Sequence, residues 1–569
     1  MPQRDSSVIS ALRAVVGRKH VLVGNRKTFA YRRAYRGGGG PAIGVVRPGS
    51  LLELWRILKV CIGADCVLVM QAANTGLTGG STPIELPNRR SVIINTRRLN
   101  QIRYLRAAQQ VLALPGATLF DVERDLQKLG RSPHSVIGSS CFGASVIGGI
   151  CNNSGGALVH RGPAYTELSL FARLNEAGEL ELVNHLDIDL GKTPEEILSK
   201  LDSGDFDFDR VTASDRNGSA SDYETIVRRI DQDTPARHNA DPSRLYEASG
   251  SAGKIAVFAV RVDTFPELAR QTVYVVGTTS PAAFASWRRD VLTSPSPLPI
   301  SAEYMHRDTL KLGVNYGRDT VRLIQWLGTA RLPAFFDLKR KADAICESLG
   351  LRAGAVTDRL LQTLGQFTPN PVPKKLRRWL EQYEHFLIVT ESTDEAMRQP
   401  QLGVHAEASK LGVYHCNDGE AKRMALVRYA AAAAAVRYAT LNARDVEGVI
   451  ALDIALKRND KRWFEQLPDS IGRDLIGAYY YGHFLCHVFH QDYLVRKGVN
   501  LEDLKCRLLD FINARGAIYP AEHNVGHDYE AAGPLQAHYR ELDPLNVFNA
   551  GIGKMSTGKR YEDVCCDDD

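Results

Sequence analysis

Along the first 265 residues, apolar positions gather in short runs separated by polar and glycine-rich turns. Residues 42–46, 67–70, 92–94, 111–114 and 255–262 read as strands, because they are brief, rich in Val and Ile, and bounded by turn formers. Residues 51–62 and 119–129 carry apolar side chains at helical spacing, and the N-terminal stretch MPQRDSSVISALRAVVGRKH reads as a short amphipathic helix. This alternation predicts an α+β arrangement of two subdomains. The acidic stretch 202–222 reads as an exposed excursion.

The pattern changes at Thr264-Phe265-Pro266. A strand at 273–276 and a helix at 282–292 open a new unit, and another unit runs from about Tyr383 to about Asn513. Within it, RYAAAAAAVRY predicts a helix that starts at Arg428, with Arg437 nine residues on and facing the opposite way. His483 and His490, seven apart in GHFLCHVFHQDY, share a face if the segment is helical; if it is a hairpin, the turn decides.

Two segments carry the chemistry. QAANTGLTGGSTP, Gln71 to Pro83, follows an apolar strand and supplies glycines, backbone N–H groups and hydroxyls, a composition that can wrap a pyrophosphate without a basic residue. It matches neither G-x-x-x-x-G-K-[ST] nor G-x-G-x-x-G. HSVIGSSCFGASVIGGICNNSGG, His134 to Gly156, is nearly uncharged and dense in Gly, Ser and Asn, as backbone lying close to a flat ring system requires.

Together these segments resemble the FAD-binding domain of the vanillyl-alcohol-oxidase superfamily. With SLLELWRILK (50–59), RGPAYTE (161–167) and YPAEHNVGH (519–527), the chain resembles the quinone-dependent D-lactate dehydrogenases of bacterial respiratory chains from about residue 10 to residue 555. The resemblance implies a two-subdomain PCMH-type FAD-binding domain (1–265 and 520–569), an α/β cap (266–305 and 384–519) and a basic, mostly helical membrane-binding segment (306–383). It implies non-covalent FAD, contacted by Ala72, Ala73, Asn74, Thr75, Gly76, Gly80, Ser81, Gly138, Ser145, Gly155 and Val257. The implied reaction is oxidation of D-lactate to pyruvate with electrons passed to a membrane quinone; another D-2-hydroxy acid, such as D-2-hydroxyglutarate or glycolate, is the alternative substrate. A base near neutral pKa must take the hydroxyl proton, which suits His523 in EHNVGH, and Arg428 is the candidate for the substrate carboxylate. In the wider group, two histidines at this spacing bind a divalent metal, so His483, His490 and Glu522 are candidate ligands for zinc or manganese.

Bulk properties narrow the partners. Ten cysteines without a C-x-x-C pair point to free thiols in a reducing, cytoplasmic compartment, and nothing in the chain points to haem or, by cysteine spacing, to an iron–sulfur cluster. The net charge of +6 argues against a nucleic-acid partner. Residues 306–380 hold fourteen Lys and Arg against six Asp and Glu, a net +8, leaving −2 for the rest. With Trp326, Phe335, Phe336 and Trp379, the basic runs at 339–341 and 374–380 predict docking on an anionic phospholipid surface. No apolar run reaches eighteen residues and no signal peptide is expected, so the chain should lie peripherally on the cytoplasmic face of the bacterial inner membrane. The oligomeric state is open.

Overall fold

The computed structural model describes residues 3–34, 38–134, 143–208, 210–267, 271–327, 355–393 and 411–562, with single positions 335, 339, 342 and 346. The expected strands and helices of the first 265 residues are present, with ends shifted by a few positions. They build two sheets. In the first, Val21–Leu22, Gly44–Val46, Arg90–Asn95 and Cys66–Gln71 lie side by side, the last three parallel. Helix Leu51–Gly63 makes the crossover. Ser50 starts it, its hydroxyl accepting from Glu53 N, and Leu54, Trp55, Leu58 and Cys61 give it a buried face. In the second sheet, Ile102–Leu105, Gln110–Ala113, Ala256–Pro266, Ser169–Leu174 and Leu180–Asn184 are antiparallel neighbours.

The 202–222 stretch is exposed along much of its length, as its composition predicts, and it is tethered at three points. The Asp202 carboxylate accepts from Leu51 N at 2.8 Å, meeting the positive end of helix Leu51–Gly63. Ser219 Oγ donates to Asp263 Oδ2 at 2.7 Å, and buried Arg261 donates to the Thr212 carbonyl at 2.6 Å. Between these tethers Asp205, Asp207, Arg210, Asp215 and Ser221 stay exposed to solvent.

The third sheet has seven antiparallel strands: Gly412–Cys416, Gln271–Thr278, His385–Ser392, Ser301–His306, Leu475–His483, Val488–Arg496 and Val446–Ala455 in spatial order. Alternation splits its side chains between two cores. Met305, Phe386 and Ile388 meet helices Arg307–Tyr316 and Asp418–Leu441 through Leu310, Met424 and Val427. Tyr304, Leu387 and Ile454 meet helices Pro281–Thr293 and Leu501–Ala514 on the other face.

The alanine-rich helix begins at Asp418, not at Arg428. Asn417 and Glu420 form a reciprocal capping box, which fixes its start ten residues earlier than the alanine run suggested. Arg428 therefore lies well inside it. Arg437 does face the opposite way, paired with Asp319 of helix Arg318–Leu327.

In the basic stretch, helices Arg318–Leu327, Ala355–Gln366 and Lys374–Gln382 are described. Phe336, Arg340 and Lys341 lie outside the described residues. Trp379 is not free for an interface: it packs edge-on against Tyr383 and Tyr414, ring centres 5.1 and 6.2 Å away. Among the described residues, no helix is long and apolar enough to cross a membrane.

Candidate active site

His483 and His490 stand on a hairpin. Strands Leu475–His483 and Val488–Arg496 are joined by a 3-10 turn, Phe484–Cys486, and by His487 with φ 55°. The register sets Tyr481 opposite His490 and His483 opposite Val488, so Tyr481, His483 and His490 leave the same face. The flanking strands add two carboxylates to that face, Glu303 opposite His483 and Asp453 opposite His490.

The segment Ala521-Glu522-His523 crosses above them, held by Ala521 N donating to the Asp453 carbonyl at 3.0 Å. Glu522 Oε2 lies 3.1 Å from His483 Nε2 and 3.8 Å from His490 Nε2. One ligand atom from each of these three residues can be chosen so that all lie within 4.8 Å of one another. Each ring is held from behind: His483 Nδ1 is 2.6 Å from Glu303 Oε1, and His490 Nδ1 is 3.3 Å from Asp453 Oδ1. Asp453 Oδ2 takes the Glu522 backbone N–H at 2.7 Å and His523 Nδ1 at 2.6 Å. His523 is the most open member, its side chain 28% exposed against 7% for Glu522.

Two arginines close the cluster. Arg237, fully buried, donates to Glu522 Oε1 at 2.8 Å and to the Gly156 carbonyl. Arg428 Nε lies 3.0 Å from Glu303 Oε2, with the guanidinium 4.7 Å from the Tyr481 ring centre. The structure thus brings His483, His490, Glu522, His523 and Arg428 to one place.

The same peptide ties this cluster to the glycine-rich loop. Thr78 Oγ1 donates to the Asn524 carbonyl at 2.7 Å, and His527 N donates to the Thr78 carbonyl at 2.9 Å. A Cβ on Gly526, at φ +57°, would stand 2.0 Å from the Thr78 carbonyl oxygen. A Cβ on Gly155 would stand 2.3 Å from Glu522 Oε1.

The chain matches two family models, "FAD binding domain" over residues 42–168 and "D-lactate dehydrogenase, membrane binding" over residues 273–561. It is 50% identical over 562 residues to the quinone-dependent D-lactate dehydrogenase of Escherichia coli K12, covering 98% of each chain. It is 49% identical over 558 residues to the protein of that name from Haemophilus influenzae, covering 97% of this chain and 99% of the other. The chain belongs to the quinone-dependent D-lactate dehydrogenase family. Its fold is that of the PCMH-type flavoproteins: p-cresol methylhydroxylase superposes with a TM-score of 0.57 over 97% of both chains at 12% identity.

As expected for an FAD-dependent member of this family, the loop after strand Cys66–Gln71 suits a phosphate. Among the described residues, none of the backbone N–H groups from Ala72 to Ser81 donates to another group of the protein. Asn74, at φ 57°, and Ser81 are linked side chain to side chain at 2.9 Å, which fixes the loop's entry to its exit. A Cβ on Gly80 would stand 3.5 Å from the Gly526 Cα, and the Gly80 carbonyl accepts from Asn549 Nδ2 at 2.8 Å. Ser145 caps the short helix Val146–Cys151 by accepting from Gly148 N at 3.0 Å. Val257 is buried beneath that helix beside Ile147 and Ile150, at a bulge in strand Ala256–Pro266. Gly138 lies outside the described residues.

Burial disfavours charge on these groups, and the pairing overrides it. Burial raises the Glu522 carboxyl, yet His483 and Arg237 bring it down to about 2. Burial lowers His483, yet Glu303 and Glu522 lift it to about 9. Glu303, Asp453 and Arg237 were not singled out from the sequence. The available signal was a carboxylate embedded in an apolar strand, in SAEYM and in IALDIAL, where an unpaired charge is too costly to persist.

Proposed function

We propose that the chain oxidises D-lactate to pyruvate where the FAD segments meet the histidine–carboxylate cluster, and delivers the electron pair to a membrane quinone. The observation that carries this reading is the continuity of one peptide: His523 stands open, Glu522 touches Gly155 of the flavin segment, and Asn524 and Gly526 clasp the pyrophosphate loop. FAD, when bound, accepts the hydride from the α-carbon of the substrate. His523 Nε2 takes the hydroxyl proton. Arg428 holds the substrate carboxylate by a charge-assisted contact.

We assign a divalent cation, zinc or manganese, to His483 Nε2, His490 Nε2 and Glu522. Supporting it are the carboxylates behind both rings, which turn each Nε2 toward Glu522. Such an ion would polarise the substrate's hydroxyl and carboxylate as a Lewis acid. The exposed Lys374, Lys375, Arg377 and Arg378 supply the charge for an anionic phospholipid surface, at the cytoplasmic face of the bacterial inner membrane.

The purified protein should release FAD on acid precipitation. Anaerobic D-lactate should bleach its flavin, a quinone analogue should restore the colour, and L-lactate, glycolate and D-2-hydroxyglutarate should be much slower. Faster bleaching by one of those acids than by D-lactate would reassign the substrate.

A further inference from the structure

Helix Ala355–Gln366 is amphipathic the wrong way round for a soluble protein. Its inward face is polar. Asp358 meets Lys339 at 3.2 Å and Arg437 at 3.8 Å, and Gln362 Nε2 donates to the Asn315 carbonyl at 2.8 Å. Its outward face is apolar: Val356, Leu360 and Leu364, spaced by four, and Phe367 one turn on, are 44, 61, 55 and 85% exposed. On the neighbouring helix Arg318–Leu327, Trp326 is 83% exposed. Isolated exposed leucines are ordinary, but a contiguous stripe of large apolar side chains marks a surface that something apolar covers.

We propose that this stripe inserts into the acyl boundary of a phospholipid bilayer, so that the protein is held on its membrane by apolar burial as well as by charge. The proposal rests on the reading that the chain works at a membrane, and it changes how the chain is held there. Charge selects the occupant. Arg322, Arg359, Lys374, Lys375, Arg377 and Arg378 are exposed on the same set of helices, and cations rimming an apolar face describe a helix lying in an anionic interface. All of them fall within the 273–561 match to a membrane-binding family model. The pairing of Asp358 with Arg437 sets the direction of the stripe, since it turns the only charged acidic position of the helix inward.

The test is co-sedimentation of the FAD-loaded protein with neutral phosphatidylcholine vesicles and with vesicles containing phosphatidylglycerol, in low salt and in about 1 M NaCl, where the Debye length is about 3 Å. Expected is a fraction that stays on anionic vesicles at high salt. Leu360→Ser/Phe367→Ser should remove that fraction and weaken low-salt partition at least about tenfold, with D-lactate turnover on a soluble artificial acceptor unchanged. Lys375→Gln/Arg378→Gln should weaken low-salt binding and spare the salt-resistant fraction. Lipids brominated along the chain should quench a fluorescence component that Trp326→Phe removes.

Complete release of the wild type by salt, with Leu360→Ser/Phe367→Ser binding as the wild type does, would overturn insertion and leave charge-based docking standing. Absence of wild-type binding to any vesicle would overturn the membrane reading itself. A lipid-free dimer that Leu360→Ser/Phe367→Ser converts to monomer would assign the stripe to a second copy and overturn the proposal.

Discussion

His523 Nδ1 lies 2.6 Å from Asp453 Oδ2, the oxygen that also accepts the Glu522 backbone N–H. Burial would raise the Asp453 carboxyl, yet His523 and His490 hold it well below its ordinary range, so it stays ionised and can only accept; Nδ1 therefore carries the ring proton and Nε2 is left as a base. The contact does for His523 what a buried aspartate does for any general-base imidazole: it sets tautomer and ring plane. His523→Ala should lower kcat about 10²-fold or more with FAD retained. Asp453→Ala should lower kcat about tenfold to 10²-fold, and Asp453→Glu should recover part of the loss. Steady-state kinetics beside the flavin spectrum checks both. Normal turnover in His523→Ala would move the base elsewhere.

The clasp between Gly526 and Thr78 gives a backbone-level prediction. Gly526→Ala places a methyl group 2.0 Å from the Thr78 carbonyl oxygen in a residue already at φ +57°. Neither strain can relax without separating the 524–527 peptide from the glycine-rich loop at 72–81. The variant should purify with much less FAD than the wild type. Gly63→Ala, at a helix end with nothing within 4 Å, should load normally.

The positions that were legible from the chain are those where chemistry and neighbours are local. The glycine-and-hydroxyl loop follows its strand directly, and the strand periods need only five or six residues to show. What was not legible depends on partners far away. Whether His483 and His490 share a face hung on a turn whose decisive residue, His487, adopts a left-handed conformation uncommon outside glycine. Arg237 meets Glu522 across 285 positions. Glu303 and Asp453 reach the site only through the order of strands in the sheet. The start of the alanine-rich helix was missed because the alanines suggest a helix and the capping box ten residues earlier decides where it begins.

Buried histidines set how stability responds to acid. Burial pushes His385 down to about 3, and His134 and His538 each to about 4, against an ordinary 6.5. The unfolded chain then binds protons that the folded protein refuses, so their contribution is complete above about pH 6.5 and declines as the pH falls toward 4. His483 has the opposite sign. Raised to about 9 by Glu303 and Glu522, which outweigh its burial, it contributes fully below 6.5 and loses that contribution as pH rises through 9. Thermal melts of the metal-free protein should peak near neutrality and decline on both sides. His483→Gln should flatten the alkaline side.

The cation assigned to His483, His490 and Glu522 predicts that a strong chelator lowers D-lactate turnover and leaves the flavin in place, since among the described residues none of these three side chains hydrogen-bonds to the loop at 72–81. Zinc or manganese added back should restore turnover. His490→Ala should bind less metal, measured by elemental analysis, with FAD content unchanged, because its neighbours Asp453, Tyr481, His483 and His523 lie outside the loop at 72–81. Full activity in a preparation shown to be metal-free would remove the ion from the reading.

Arg428 tests whether the helix behind the sheet takes part in substrate binding. Its ion pair with Glu303 Oε2 at 3.0 Å places it in the cluster, and Glu303 Oε1 in turn holds His483. Two outcomes separate its roles. If the guanidinium grips the D-lactate carboxylate, Arg428→Ala removes a charge-assisted contact worth about 1.5–3 kcal/mol, so KM should rise roughly ten- to 10²-fold with a smaller change in kcat. Arg428→Lys keeps the charge and loses the planar fork, so it should recover only part of the affinity. If Arg428 acts only by holding Glu303 against His483, kcat and metal content should fall together while KM stays near its original value, and Glu303→Gln should show the same pattern. Measuring both constants and the bound metal for these three variants decides between a substrate contact and a support for the histidine.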